Sequence, residues 1–281
     1  MSQDNSQRAH RLVEELRAEV DFEIDDVIAN IVRNLPEEYF RSLAHEDQLT
    51  HLKALLAISI CNLKRELTLR SEDDRHIAVV ARQNYPGLLA KIIAGLPDEQ
   101  PLIGARIFTS KTHDFIIDLF EFKSPVVEHR PTRVSQLEFT DTVAAVARLT
   151  GGALAAVAEF ISSYPPGSRA LESPAEICEH YLAFCESRDS NDIAVRWTEL
   201  PEKHQAKITV SAGSMRARNL FLATAKFLAE HAADIDQAFL DDFPLAGQDN
   251  HIAVASFLVL GKMQDSPTTT GLQLADFLRS N

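Results

Sequence analysis

No stretch of eighteen apolar residues occurs in the 281-residue chain, so the sequence offers no helix able to span a bilayer. Cysteine is scarce. Cys61, Cys178 and Cys185 are the only three, and an odd count excludes a fully paired disulfide framework of the secreted type. Each lies in a segment of helical periodicity and reads as a small buried hydrophobe. The first residues, Met1 to His10, are polar and lack the apolar core of a signal peptide, so the expected compartment is cytoplasmic. Basic residues are outnumbered, with 28 Lys and Arg against 41 Asp and Glu and a formal charge of −13. Such a chain repels phosphate backbones. No basic run or aromatic series offsets this, so neither nucleic acid nor a membrane is an expected partner.

What is present is an apolar fraction of 45%, that of a globular protein, and enough length for two ordinary domains. Residues 8–34 read as helix, with Leu12, Leu16, Val20, Ile24, Val27 and Ile31 at helical spacing. Leu35-Pro36 interrupts that pattern, and Pro36 opens a short helix carrying Tyr39, Phe40 and Leu43. Residues 46–61 form another helix with Leu49, Leu52, Leu55, Leu56 and Ile60 on one stripe.

Strands follow. Glu66 to Arg70 and His76 to Ala81 read as a pair joined by Ser71-Glu72-Asp73-Asp74. Asn84-Tyr85-Pro86-Gly87 ends the second of them. Leu88, Leu89, Ile92 and Ile93 then resume helical spacing. Leu102 to Thr109 and Asp114 to Phe122 form a further hairpin around Lys111-Thr112-His113. Residues 123–135 are a linker. Residues 137–149 and 153–163 are helical, split by Thr150-Gly151-Gly152, and Tyr164-Pro165-Pro166-Gly167 marks the strongest boundary.

The same order then recurs. Pro174 to Glu186 is helical, and Asp192 to Leu200 and Ala206 to Val210 are strands about Pro201-Glu202-Lys203. Residues 215–232 are a long helix. Ile235 to Phe243 and His251 to Leu260 are strands about Gly247-Gln248-Asp249-Asn250. Each half reads helix, hairpin, helix, hairpin, a repeat of elements rather than of residues.

Familiar chemical motifs are incomplete. Gly151-Gly152 lacks the spacing and lysine of a phosphate loop and reads as a helix break. Gly213-Ser214 lacks the second glycine of a nucleophile elbow, since Arg216 stands there, and Ser214 reads as a helix N-cap. His45 and His51 do not share a helix face as a zinc pair does and read as solvated or capping. Cys178, His180 and Cys185 lack a paired metal half-site. Asp241, Asp242 and Asp249 read as solvated turn charges at strand ends. Arg82, Gln83 and Asn84 form the best polar cluster, at a strand-to-helix junction. It is read either as an ordinary turn or as a site for an amino-acid carboxylate or amide. Arg216 and Arg218 are its weaker counterpart in the second half.

The run His76-Ile77-Ala78-Val79-Val80-Ala81-Arg82-Gln83-Asn84-Tyr85-Pro86-Gly87-Leu88-Leu89 resembles the ACT family of small-molecule sensing domains. In that family an acidic or amide residue precedes Pro-Gly and two apolar residues. Pro86 sets the helix entry and Gly87 permits close approach, while free amides at a helix start favour a carboxylate. Ser211-Ala212-Gly213-Ser214 fills the corresponding turn without proline. The wider order, with Leu35-Pro36-Glu37-Glu38-Tyr39-Phe40 and His51-Leu52-Lys53-Ala54-Leu55 ahead of the Pro-Gly unit, resembles the N-terminal region of the large NAD-specific glutamate dehydrogenases. The likeness covers residues 35–125, and 170–260 by element order alone.

The expected fold is therefore α+β, with two ACT-like (ferredoxin-like) units of antiparallel sheet and packed helices behind an N-terminal helical segment. The expected divisions are 1–62 helical, 63–135 first unit, 136–168 helical linker and 169–281 second unit. The resemblance implies a non-catalytic regulatory region that binds a small effector, an amino acid, through Arg82, Gln83, Asn84, Tyr85, Pro86, Gly87 and Leu88. It also implies a homo-oligomer and a covalently linked catalytic domain that would carry NAD. No catalytic or metal-binding residue is assigned in this chain, and no cofactor is expected in it. Two rival readings stand beside this one: a structural scaffold without a ligand, and an enzyme with an unrecognised active site.

Overall fold

The computed structural model describes residues 11–16, 25–61, 66–71, 75–112, 114–123, 136–164, 174–200, 205–245, 251–260 and 267–280. It is a mixed α and β structure whose eight strands form one antiparallel sheet in the order β1-β2-β4-β3-β7-β8-β6-β5. The strands are β1 Glu66–Arg70, β2 His76–Arg82, β3 Leu102–Thr109, β4 Phe115–Phe122, β5 Ala194–Leu200, β6 Gln205–Ala212, β7 Asp234–Pro244 and β8 His251–Leu260. The first four and the last four follow the same internal order. The expected antiparallel sheet with packed helices is thus present. The expected turns at 72–74, 165–167, 201–203 and 247–250, and the linker from 124 on, lie outside the described residues.

The chain forms two compact units. The first comprises residues 1–85 and 106–120, the second residues 86–105 and 121–281.

In the first unit, residues 11–16 (α1) are helical, followed by α2 Asp25–Asn34, α3 Glu37–Ser42 and α4 His45–Cys61. The residues between α1 and α2, expected to continue one helix, lie outside the description. Pro36 stands at the N-cap of α3 with φ −67°, the backbone angle that its ring imposes. The apolar stripe of α4 buries Leu52, Leu55 and Leu56, and α4 packs on β2 and β1. β1 and β2 pair antiparallel with Thr68 opposite Val79. Ile77 to Ala81 are all buried, so both faces of β2 are covered. This explains its continuous apolar run in place of an alternating one.

The second unit contains α5 Leu88–Ala94, α6 Gln136–Thr150, α7 Leu154–Ser162, α8 Pro174–Ser190, α9 Ala217–Glu230 and α10 Pro267–Ser280. Gly151 adopts φ 69° between α6 and α7, in line with the expected helix break. α8 and α9 lie on opposite faces of the sheet. His180 of α8 bonds Ser256, Phe221 of α9 meets the Phe257 ring, and adjacent strand residues point to opposite faces. α10 packs on β5 and on α9, where Phe277 meets Phe227. The α8 face holds an aromatic cluster in which Phe160 contacts Tyr164, Tyr181, Phe184 and Phe243.

Candidate functional site

The strand-to-helix turn of the first half is built by two left-handed residues. β2 runs to Arg82, one residue beyond its expected end. Gln83 then takes φ 68°, and its N–H donates to the Asp114 carbonyl at 2.7 Å. Asn84 donates from Nδ2 to Thr109 Oγ1 at 3.4 Å. Tyr85 is half exposed. Gly87 adopts φ 92° at the start of α5, and its carbonyl accepts from the Lys91 N–H. A residue with a Cβ strains at that angle, so the glycine answers a backbone requirement. Leu88 is buried. The turn exposes Arg82, Gln83, Tyr85 and Pro86, while Asn84 and Gly87 are half-buried.

The second half solves the same junction differently. Residues 213–215 form a bend, and α9 begins at Ala217 with Arg216 at its N-cap and no side-chain cap bond. The expected N-cap role of Ser214 is therefore corrected, because the helix starts two residues later than that role requires. Arg218 is fully engaged in packing. Its guanidinium donates to the carbonyls of Ile93 at 3.0 Å, Leu96 at 2.9 Å and Pro97 at 3.1 Å, and pairs with Asp98. These acceptors include the last turn of α5, whose orphan carbonyls a cation satisfies well. Arg218 is thus a helix-end clamp rather than a counterpart of Arg82.

Histidine is where the sequence reading departs furthest from the structure. His51 is buried, not solvated. Its Nδ1 lies 3.3 Å from the Tyr39 hydroxyl, which is also 3.3 Å from the Gln48 carbonyl. Burial pulls the His51 pKa down to about 4, so the ring is neutral at physiological pH. The Tyr39 ring meets Phe108 of β3 edge-on, with centroids 5.6 Å apart. His45, by contrast, pairs with Glu15 at 2.7 Å and draws that exposed carboxyl below its usual range.

The second unit builds a related frame. His180 Nδ1 lies 3.2 Å from the Tyr164 hydroxyl, and Tyr164 meets Phe243 of β7 edge-on at 4.7 Å. Here the chain of polar groups continues. His180 Nε2 is 2.7 Å from Ser256 Oγ, which is 3.1 Å from Thr209 Oγ1. Beside it, Ser187 bonds Ser211, whose hydroxyl donates to the Ala183 carbonyl at 2.7 Å. All these side chains are buried. His51 and His180 are each the seventh residue of a 17-residue helix.

Two acids also depart from expectation. Asp241 and Asp242 are inside β7 rather than solvated at a turn. Burial raises the Asp242 carboxyl, an effect that His251, 3.3 Å away, opposes. Asp118, not singled out from the sequence, is fully buried in β4, and neither of its carboxyl oxygens has a hydrogen-bond partner. Desolvation lifts its pKa well above that of an ordinary carboxyl, which favours the protonated form. The signal for it was one acid in the middle of the run Phe115-Ile116-Ile117-Asp118-Leu119-Phe120. Cys178 and Cys185 are half-buried thiols whose pKa values burial pushes up. Among the described residues, no group of three or more His, Cys, Asp or Glu side chains is placed to hold a metal ion, and no helix is long and apolar enough to cross a membrane.

No protein family matches the chain, and a search of curated proteins gives no match.

Proposed function

We propose that this chain is a non-catalytic regulatory region that senses a small molecule, an amino acid by the chemistry of its first turn, within an NAD-dependent glutamate dehydrogenase. One observation carries the reading. Each half links two hairpins through a helix, and each set of four strands takes the order β1-β2-β4-β3 or β5-β6-β8-β7. In each, the crossover helix joins two strands that have a third between them: β2–α5–β3 about β4, and β6–α9–β7 about β8. A split crossover of this kind supports an ACT-like, ferredoxin-like reading of each half. Fold analogy does not by itself assign function, so the ligand reading rests on the turn from Arg82 to Leu88.

There a carboxylate has an arginine and a helix entrance, and the left-handed Gly87 keeps the backbone open to close approach. Gln83 and Asn84 supply amides, and Tyr85 and Pro86 an exposed apolar rim. A bound effector would act by favouring one arrangement of a linked catalytic domain. Titration calorimetry and thermal shift with the common amino acids test this. The expected outcome is heat and a raised melting temperature with at least one of them, both reduced by Arg82→Ala. No heat and no shift with any amino acid removes the ligand reading.

Arg218 favours a second reading. Of the two second-half arginines beside the corresponding turn, Arg218 is held by the carbonyls of Ile93 and Leu96, as in a scaffold that binds nothing. Under it, amino acids leave the melting temperature unchanged, whereas Arg218→Ala lowers stability by about 1–3 kcal/mol through unpaired helix-end carbonyls.

A further inference from the structure

β1 ends the strand order on one side, and among the described residues no other strand pairs with its outer edge. It is short, and its residues alternate Glu66, Leu67, Thr68, Leu69, Arg70, with the leucines half-buried and the others exposed. An open edge of this kind is a template for another strand.

The hydrogen-bond phase of that edge follows from the hairpin. The Ser71 N–H donates to the His76 carbonyl at 3.0 Å, and the β1–β2 register runs from Glu66 opposite Ala81 to Arg70 opposite Ile77 without a bulge. Inward and outward backbone groups alternate along an antiparallel strand. Ser71, Leu69 and Leu67 therefore turn their N–H and C=O groups toward β2. Glu66, Thr68 and Arg70 turn theirs outward.

We infer that β1 pairs antiparallel with β1 of a second copy of this chain, about a two-fold axis at Thr68. In that register Thr68 faces Thr68 of the other copy, Leu67 faces Leu69, and Glu66 faces Arg70. The outward groups of Glu66, Thr68 and Arg70 complete about six backbone hydrogen bonds. Both Glu–Arg pairs are attractive, and the leucines form one apolar strip with their symmetry mates. A two-fold interface must be self-complementary, and the palindrome of charge and hydrophobicity around Thr68 meets that requirement.

The strand at the other end of the order lacks this property. Arg196 and Glu199 of β5 are an odd number apart and point to opposite faces, so no antiparallel self-pairing sets one across from the other. The inference is independent of any ligand at the Arg82–Leu88 turn.

Sedimentation velocity of the full chain, up to about 1 mM, tests it in four variants. The wild type is expected to form a dimer with rising concentration. Glu66→Lys and Arg70→Glu each set like charges across both pairs, and each should move the dimer midpoint about tenfold or more higher. The double variant E66K/R70E restores the pairing and the midpoint. Thr68→Pro removes an outward N–H and no inward one, so it should abolish the dimer while circular dichroism and melting stay unchanged. A wild type that stays monomeric throughout overturns the inference. So does a dimer indifferent to the single reversals, not recovered by the double one, or retained by T68P.

Discussion

The Tyr39–His51–Phe108 cluster of the first unit and the Tyr164–His180–Phe243 cluster of the second share their parts but not their satisfaction. In both, a tyrosine hydroxyl reaches Nδ1 of a histidine at the seventh position of a long helix, and the tyrosine ring abuts a strand phenylalanine. Tyr39 also meets a backbone carbonyl, Gln48 O. A carbonyl only accepts, so when Tyr39 donates there, His51 must donate from Nδ1. His180 instead bridges to the sheet through Ser256 and Thr209. The second frame ties a helix to two strands. The first ties a helix to the chain just before it. Buried polar groups are costly when unpaired and specifying when paired, so the second unit has more to lose from a broken link.

The largest expected effect follows directly. His180→Ala removes a hydrogen-bond partner from each of the Tyr164 and Ser256 hydroxyls and opens a cavity, costing about 4 kcal/mol. His51→Ala breaks one hydrogen bond, to the Tyr39 hydroxyl, and should cost about half as much. Equal losses by urea unfolding would mean that the strand hydroxyls add nothing.

The next effect is set by pH. His51 has a folded pKa of about 4 against an ordinary 6.5. Between these values the unfolded ring is protonated and the folded one is not. Stability should therefore fall as pH drops from about 6.5 to about 4, by about 3 kcal/mol, and then level off. His51→Gln removes that slope. Asp118 acts in the opposite sense. Its folded pKa is raised by burial, so stability falls as pH rises above the ordinary carboxylate range until the folded carboxyl ionises. Asp118→Asn removes this second slope. Unfolding curves for both variants across pH 4 to 8 separate the two.

The smallest effect contrasts the two turns. Gly87→Ala forces a Cβ onto φ 92° and should cost about 1 kcal/mol. Gly213 has no such angle, and its added Cβ would make only an ordinary contact with Ile252 at 3.6 Å. Gly213→Ala should stay within about 0.5 kcal/mol of wild type. A larger loss at Gly213 would reverse the assignment of which turn is backbone-constrained.

The hairpins and α5 were legible because their signals are local. β1, β3 and β8 coincide with their expected bounds, since runs of β-branched and apolar residues end at turn formers. α10 was missed. Its first turn reads Pro267-Thr268-Thr269-Thr270, followed by Gly271, poor helix formers all, and only packing on β5 and α9 makes the segment helical. The site was less legible than the fold. Pro86-Gly87 announced a special turn and an apolar run surrounds Asp118, but nothing around His51 or Arg218 shows from sequence whether a side chain is buried. Their partners lie 12 residues away for His51 and more than 120 away for Arg218.

The sequence by itself determined the strands, the helices other than α10, and that two halves share one order, because periodicity and turn chemistry act over a few residues. Tertiary structure alone decided that β1 is an edge, that α8 and α9 take opposite faces, and that two histidines are core groups. Those outcomes depend on which distant surfaces remove a polar group from water, and burial, unlike periodicity, is not a property of neighbours in the chain.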